Sequence, residues 1–577
     1  MKGLATLVTA AALLGRAVAA PPEPPTRVIE KRANPTVTAP AGKIIGVERV
    51  GTEAFNGIPF ALPPTGSLRL KPPVRLNTSL SNFDATGIAP ACPQFFADSD
   101  DKGLLSMVLD NITGLPFFQK ALKVSEDCLT VNVIRPKGTK AGDKLPVLFW
   151  IYGGGFELGW SSMYDGGPIV TSAASLGKPF VFVAVNYRVG GFGFMPGKEI
   201  LADGSANLGL LDQRMGLEWV ADNIEAFGGD PTKVTIWGES AGAISVWNQM
   251  ALYDGNNKYK GKPLFRGAIM NSGSLVPTNP VDSPKAQGIY DAVVKKAGCS
   301  SAKDTLNCLR QLSYSKFLDA ANSVPHVLSY NSVALSYLPR PDGKTLTKSP
   351  ELLAKEGKYA AVPMIIGDQE DEGTLFALFQ PNLTSTSRLV DYFKNIYFHD
   401  APKSKIEGLV DQYSSWVWDG SPFGSGLLYD IYPGFKRLAA ILGDIVFTLT
   451  RRTFLEYATA ANPNVPAWSY IASYYRGTPI LGTFHASDIL QVFYGVLPNY
   501  ASRSIHSFYA NFVYNLDPNN ASGGTSSKSK VSESWPRWTA KDRKLINFFW
   551  DKSEFIKDDF REGAGKYISS NIQYLRV

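Results

Sequence analysis

Residues 234–242 read VTIWGESAG, and the fold follows from this stretch. It opens with a short apolar run typical of a buried strand, and a helix-like run follows its last glycine as far as Leu252. In a Gly-x-Ser-x-Gly turn between a strand and a helix, the serine hydroxyl, here that of Ser240, is held clear of its own backbone. The pattern therefore predicts a nucleophilic serine at the end of a strand. A Gly-rich turn that merely links strand to helix is the alternative.

Continuous apolar runs bounded by Gly and Pro recur along the chain and are typical of parallel strands buried on both faces. Helical patterns lie between them, the clearest at residues 208–227. Strands that alternate with helices predict an α/β fold, with a large, mostly parallel central sheet and helices on both faces. Some runs could instead be buried helix segments. The predicted strands lie at 43–50, 53–58, 129–134, 145–152, 179–185, 234–237, 267–270, 362–366 and 468–472.

A serine nucleophile needs a base, and the chain contains only four histidines. His485 lies in a short loop before an apolar helix, which suits a catalytic imidazole. His506 lies in a helix-like run, His399 near a helix end, and His326 before the acid candidates. Because the chain order in this type of site is serine, acid, histidine, we predict that His485 is the base for Ser240.

The acid that orients the imidazole should lie on a loop after a late strand. The predicted strand at 362–366 runs into such a loop, and four of the side chains there are acidic. Their spacing does not choose among them, and most acidic clusters are simply solvated surfaces. The four candidates are Asp368, Glu370, Asp371 and Glu372.

A glycine triplet follows the predicted strand at 145–152, upstream of the serine motif. Glycine N–H groups can face a substrate oxygen without a Cβ in the way. The expected partner is the N–H group of the residue after the nucleophile. We therefore predict an oxyanion hole formed by Gly154, Gly155 and Ala241.

Together these motifs resemble the type-B carboxylesterase/lipase (cholinesterase-like) family of α/β-hydrolases. Within that family, the Candida rugosa-type lipases and the fungal sterol esterases are most similar. The resemblance covers nearly the whole chain from about Ile45 onward. The motifs that carry it are GESAG at 238–242, EDCL at 126–129, GGGF at 153–156, FGGDP at 227–231, GDQEDEGT at 367–374 and GTFH at 482–485.

The resemblance implies an α/β-hydrolase fold, ester hydrolysis and a catalytic triad of Ser240, Glu372 and His485. The four cysteines by themselves allow three pairings, of which sequential pairing closes two local loops. The resemblance implies that sequential pairing, which joins Cys92 to Cys128 and Cys299 to Cys308. No metal-ligand cluster or dinucleotide fingerprint is present in the sequence, so no metal and no cofactor are expected.

The N-terminus has the features of a secretory signal peptide. Lys2 precedes an apolar run that is too short to span a bilayer, and small residues and prolines follow it. We predict a signal peptide at 1–20, a propeptide at 21–32 that ends in a dibasic pair, and a single domain at 33–577. Secretion to the extracellular space follows. No other stretch reaches 18 apolar residues, so no transmembrane segment is expected.

Four sequons are compatible with a glycosylated surface, at Asn77, Asn111, Asn382 and Asn520. A chain with 44% hydrophobic and 19% charged residues is not disordered or fibrous. Its formal net charge of +7 is small and scattered, which argues against a nucleic-acid partner.

The segment between Cys92 and Cys128 is rich in Leu, Phe and other large apolar residues, several at helical spacing. It is either an ordinary core helix or, by the family resemblance, a disulfide-stapled lid at about 92–128. A lid of this kind would expose an apolar surface at a lipid–water interface, which favours long-chain, water-insoluble esters such as triacylglycerols or steryl esters. The same surface could form a homodimer. The alternatives are a carboxylesterase for short or aromatic esters and a non-catalytic binding protein.

Overall fold

The computed structural model describes residues 34–95, 123–493, 499–519 and 534–577. The predicted signal peptide, the propeptide, most of the predicted lid and two of the sequons, Asn111 and Asn520, lie outside these residues. The residues from Pro35 to Val577 belong to one compact unit.

The apolar runs of the sequence form strands, as predicted, and further strands lie near both ends of the chain. The strands are β1 Thr36–Ala39, β2 Gly42–Ile45, β3 Val47–Arg49, β4 Thr52–Pro59, β5 Leu80–Asp84, β6 Thr130–Pro136, β7 Leu145–Ile151, β8 Val181–Val185, β9 Gly229–Glu239, β10 Lys258–Tyr259, β11 Lys262–Pro263, β12 Gly267–Asn271, β13 Met364–Gln369, β14 Ala467–Ala472, β15 Lys544–Phe548 and β16 Ser553–Lys557.

Eleven of these strands form one sheet in the order β16-β15-β14-β13-β12-β9-β7-β8-β6-β4-β3. From β15 to β8 neighbouring strands are parallel, and the antiparallel pairs lie at the two edges. Every residue of β8, β12, β13 and β14 is buried, so both faces of the sheet are covered at its centre. The α/β fold with a large, mostly parallel sheet is therefore confirmed.

Helices occupy the connections between the parallel strands, as βαβ topology requires. The α-helices are Gly167–Ser175, Gly190–Gly193, Lys198–Asp203, Leu208–Asn223, Ala241–Gly255, Pro284–Lys296, Thr305–Gln311, Tyr314–Ala321, Pro350–Lys355, Thr386–Tyr392, Lys403–Val410, Phe435–Gly443, Leu449–Ala461, Ile489–Val492, Tyr500–Asn515 and Glu562–Asn571.

Four loops meet at one edge of the sheet because parallel strands end on the same side. The loops that follow β7, β9, β13 and β14 carry the glycine triplet, Ser240, the acidic cluster and His485 respectively. The register keeps these strand ends level: Ile151 pairs with Gly238, and Gln369 pairs with Ala472. The topology therefore brings distant segments of the sequence to one site.

Both disulfides join the cysteines that the family resemblance implies. Cys92 and Cys128 have Cα atoms 5.1 Å apart, and those of Cys299 and Cys308 are 5.8 Å apart. The first disulfide closes the segment predicted as a lid, of which residues 96–122 lie outside the described part of the chain.

Candidate active site

Ser240 occupies the sharp turn between β9 and the helix Ala241–Gly255. Its φ of 57° and ψ of −127° lie outside the regions that L-residues usually adopt. The turn is fixed on both sides, since the Ser240 N–H donates to the Asn271 carbonyl at 2.9 Å and its own carbonyl accepts from the Ile244 N–H at 2.9 Å. The strained backbone is thus held by neighbouring elements, which is typical of functional positions.

The two glycines of the motif are required by close backbone approach. A Cβ on Gly242 would lie 2.0 Å from the carbonyl oxygen of Ile151 in β7. A Cβ on Gly238 would lie 2.3 Å from the Gly242 carbonyl group. Only glycine fits at either position, so these two glycines follow from close packing within the turn and against the neighbouring strand.

Three predicted side chains form a continuous hydrogen-bonded chain. The Ser240 Oγ lies 2.8 Å from His485 Nε2, and His485 Nδ1 lies 2.5 Å from Glu372 Oε2. The Gln369 N–H donates to the other carboxylate oxygen, Oε1, at 2.7 Å. With Nδ1–H donated to the carboxylate, the Nε2 lone pair is free to accept the serine proton. This is the arrangement that activates a hydroxyl as a nucleophile.

The other acidic side chains of the cluster have different partners. Asp368 accepts from Arg451 Nε at 2.8 Å in the buried interior. Glu370 pairs with Arg476, whose Nε donates to its Oε2 at 2.7 Å. Neither carboxylate contacts the imidazole, so the geometry separates Glu372 from these two alternatives.

Asp371 joins three segments around the site. Its Oδ1 accepts from the Ser421 hydroxyl at 2.8 Å and from the Phe423 N–H at 2.9 Å, and its Oδ2 accepts from the Thr483 N–H at 3.0 Å. Burial and, next, the charge of Glu370 raise the pKa of Asp371 to about 7. Asp371 therefore helps to hold the loop that carries His485, without touching the imidazole itself.

The remaining histidines have other neighbours than Ser240. His506 is buried on the helix Tyr500–Asn515, where its ring nitrogens lie 3.0 Å from Ser172 Oγ and 2.7 Å from the Val492 carbonyl. His326 stacks on Phe95, with ring centroids 3.8 Å apart. His399 follows a π-helical turn at Phe393–Tyr397. Of the four histidines, all of which are described, His485 is the one that the structure places within hydrogen-bonding distance of Ser240, and its role as the base stays a prediction.

The glycine triplet turns sharply beside Ser240. Gly154 has a φ of 104°, and its carbonyl accepts from the N–H groups of Glu157 and Leu158 at 3.0 and 3.1 Å. Among the described residues, no acceptor is found for the N–H groups of Gly154 and Gly155. Both glycines line the same cavity as the nucleophile, and so does Ala241, the first residue of the helix. These N–H groups are available to hold an oxyanion.

A second carboxyl group, that of Glu239, adjoins the nucleophile and was not predicted from the sequence. Its Oε1 lies 3.5 Å from His485 Nε2. Burial, and then the charges of Asp488 and Glu372, raise the pKa of Glu239 well above its usual value. Burial therefore disfavours the charged form of this carboxyl group. No sequence signal marked it, because it occupies a variable position of the serine motif.

Replacement of Glu239 with glutamine is expected to change kcat/KM less than about tenfold at pH 7. Glutamine matches the size of the carboxyl group, and burial already disfavours the charged form of Glu239, so the substitution should disturb the surroundings of His485 little. Steady-state kinetics on a soluble nitrophenyl ester checks this. A loss of kcat/KM as large as that of the Glu372→Gln enzyme would mean that Glu239 is the ionised partner of the imidazole.

The nucleophile opens into a cavity of about 970 Å³, a volume that includes its open mouth. The rings of Phe376 and Phe447 lie 5.0 and 4.6 Å from the His485 ring and form one wall. An apolar cavity of this kind suits a hydrophobic acyl chain or alcohol. Other apolar residues that line it include Phe156, Leu158, Val276, Leu335, Leu338 and Leu375.

Of the four sequons, Asn77 and Asn382 fall within the described residues, and both side chains are exposed. The described part of the chain holds no cluster of three or more His, Cys, Asp or Glu that could bind a metal ion. In that same part, no helix has the length and apolar character needed to cross a membrane.

A sequence profile of the Carboxylesterase family matches residues 33–561. The chain belongs to the carboxylesterase family. The family and fold predicted from the motifs are thus confirmed, and the chain is a serine-type carboxylic ester hydrolase.

This carboxylesterase has fungal relatives of nearly the same length. It is 60% identical to the secreted triacylglycerol lipase LIP1 of Gibberella zeae, over 96% of this chain and 94% of that protein. It is 45% identical to lipase 4 of Diutina rugosa, over 94% of this chain and 97% of that protein. The crystal structure of Aspergillus niger EstA superposes with a TM-score of 0.78 at 25% identity, and covers 94% of this chain and 99% of that one.

Proposed function

We propose that this carboxylesterase is a secreted lipase that cleaves long-chain fatty-acid esters, triacylglycerols and/or steryl esters, through an acyl-enzyme intermediate. The observation that carries the proposal is the hydrogen-bonded chain from Ser240 through His485 to Glu372, whose serine and histidine line an apolar cavity. The names of the two fungal relatives support a lipid ester as substrate and favour acylglycerols.

In the acylation step, Ser240 Oγ attacks the ester carbonyl carbon and His485 Nε2 takes the hydroxyl proton. The carbonyl oxygen becomes negative and accepts hydrogen bonds from the N–H groups of Gly154, Gly155 and Ala241. The C–O bond to the alcohol then breaks, and His485 returns the proton to the departing alcohol.

In the deacylation step, His485 takes a proton from water, and the resulting hydroxide attacks the acyl carbon. The bond to Ser240 Oγ breaks, the serine recovers its proton, and the fatty acid leaves. Glu372 holds the imidazole in the tautomer that both steps need and stabilises the imidazolium.

The proposal includes the processing, glycosylation and export of the chain. We infer removal of residues 1–20 as a signal peptide and of 21–32 as a propeptide, release of a domain at 33–577, and glycans at the four sequons. Relatives named as secreted proteins support export. A lid at about 92–128 would cover the cavity in water, and its apolar surface would also serve a homodimer.

We expect triolein emulsions to be hydrolysed at a rate that rises steeply above the solubility limit of the ester, because an apolar cavity and a lid favour substrate presented at an interface. A parallel assay on triolein, cholesteryl oleate and nitrophenyl acetate measures this. The ratio of the first two rates assigns acylglycerol or steryl-ester preference.

A carboxylesterase for short or aromatic esters, which the family match equally allows, is the second candidate. Simple saturation without an interfacial rise, together with a preference for the acetate ester, would establish that function instead.

A further inference from the structure

Four large apolar side chains are exposed within residues 416–428. The exposed fractions are 65% for Trp416, 52% for Trp418, 65% for Leu427 and 62% for Leu428. We call these four residues the Trp–Leu patch. Concentrated exposed apolar surface on a soluble protein usually marks an interaction site.

The patch is displayed on a fixed loop. The Trp418 ring packs within 3.0 Å of the position that a Cβ on Gly426 would occupy, so it covers the turn that carries the two leucines. That turn is held by Lys436, whose ammonium donates to the Ser425 hydroxyl at 2.8 Å and to the Gly426 carbonyl at 2.7 Å. The tryptophans and the leucines therefore form one surface.

The loop is attached to the active site through Asp371. This carboxylate accepts from Ser421 and Phe423, which lie between the tryptophans and the leucines, and also from the Thr483 N–H, two residues before His485. The patch thus belongs to the set of loops at the carboxyl ends of the parallel strands, where the substrate cavity also lies.

The charges of the segment that carries the patch argue against an anionic lipid surface as its partner. Residues 411–434 contain no Lys or Arg and contain three aspartates. The nearby Lys436 is buried, with its ammonium turned into the loop. Binding to anionic headgroups requires exposed cations, which this segment lacks. Tryptophan and leucine side chains instead favour the boundary between water and hydrocarbon.

We propose that the Trp–Leu patch contacts an uncharged lipid surface, the aggregated ester substrate, and holds the active-site face against it. The inference rests on the proposed lipase function and names the surface by which the enzyme adsorbs to its substrate. An anionic membrane and a second copy of the chain are the other occupants that the test separates.

The test uses two double variants, Trp416→Ser/Trp418→Ser and Leu427→Ser/Leu428→Ser. The matched control is Val50→Ser/Ile88→Ser, which removes exposed apolar side chains elsewhere in the chain. Each is made in a Ser240→Ala enzyme, so that the lipid is not consumed, and in the active enzyme. Adsorption to triolein emulsified with phosphatidylcholine is measured by flotation.

We expect each double variant to adsorb at least about tenfold more weakly than its parent, and the control to adsorb like the parent. Hydrolysis of soluble nitrophenyl butyrate by the active versions should stay within about twofold, since no patch residue touches the reacting groups. Adding phosphatidylglycerol to the emulsion should not strengthen adsorption.

Equal adsorption of parent and double variants, or no adsorption of the parent, would overturn the inference. So would adsorption that depends on phosphatidylglycerol, or a change confined to the oligomeric mass measured by sedimentation. Hydrolysis of triolein by the unmodified enzyme reports on the proposed function separately, so failure of the patch and failure of the lipase assignment are distinguishable.

Discussion

Replacing Ser240 with alanine is expected to lower kcat/KM for every ester by at least about 10⁴-fold. The variant keeps the Cβ, so the strained turn and its two backbone hydrogen bonds are retained, and only the attacking oxygen is lost. Stability should therefore change little. Steady-state kinetics on nitrophenyl butyrate measures the loss, and thermal unfolding checks that the fold is intact.

The matched control for this experiment is Ser274→Ala. Ser274 is fully buried near the end of β12, and its hydroxyl has no hydrogen-bond partner among the described residues. We expect this variant to keep kcat/KM within about threefold. A fluorophosphonate probe should label the unmodified enzyme and the control but not the Ser240→Ala protein. Labelling of the latter would place the nucleophile elsewhere, and no labelling of any of them would favour the non-catalytic alternative.

The centre of the fold could be predicted because its strands are buried on both faces. A strand such as β8, VFVAV, has no solvent-facing side and appears in sequence as an uninterrupted apolar run. The last two strands, β15 and β16, which lie at one end of the sheet, were not predicted. No residue of the edge strand β16, SEFIK, is fully buried, and Glu554 and Lys557 are exposed, so this antiparallel strand resembles a loop in sequence.

Ser240 and His485 could be chosen from the sequence because each left few alternatives: one strand–turn–helix serine motif and one histidine in a suitable loop. The structure places the two side chains within hydrogen-bonding distance. The acid could not be chosen from residue spacing alone, since Asp368, Glu370, Asp371 and Glu372 all lie on the same loop. What separates them is the group that each side chain faces across the fold. Arginines bind Asp368 and Glu370, and a backbone N–H group binds Asp371. These partners come from distant segments, so the local sequence does not reveal them.

Replacing Glu372 with glutamine is expected to lower kcat by about 10³- to 10⁴-fold, close to the effect of an equivalent change in other serine hydrolases. The Gln369 N–H needs an acceptor at the position of Oε1, so the amide oxygen of the new side chain should turn toward it. The amide NH₂ then faces His485 Nδ1 and donates to it. The imidazole proton is forced onto Nε2, where it blocks acceptance of the Ser240 proton.

The matched control is Glu370→Gln, which removes a carboxylate two residues away, weakens its pair with the half-exposed Arg476 and removes a charge that raises the pKa of Asp371. We expect kcat within about threefold for this variant. Unfolding temperatures of both proteins should stay close to that of the parent, because the substitutions preserve side-chain volume. If the Glu372→Gln enzyme kept its activity while Asp368→Asn or Asp371→Asn lost it, the carboxylate that orients the imidazole would be one of those two. The loss in Glu372→Gln therefore depends on the tautomer imposed by one backbone N–H group, and the Glu370 control separates this cause from a general loss of negative charge near the site.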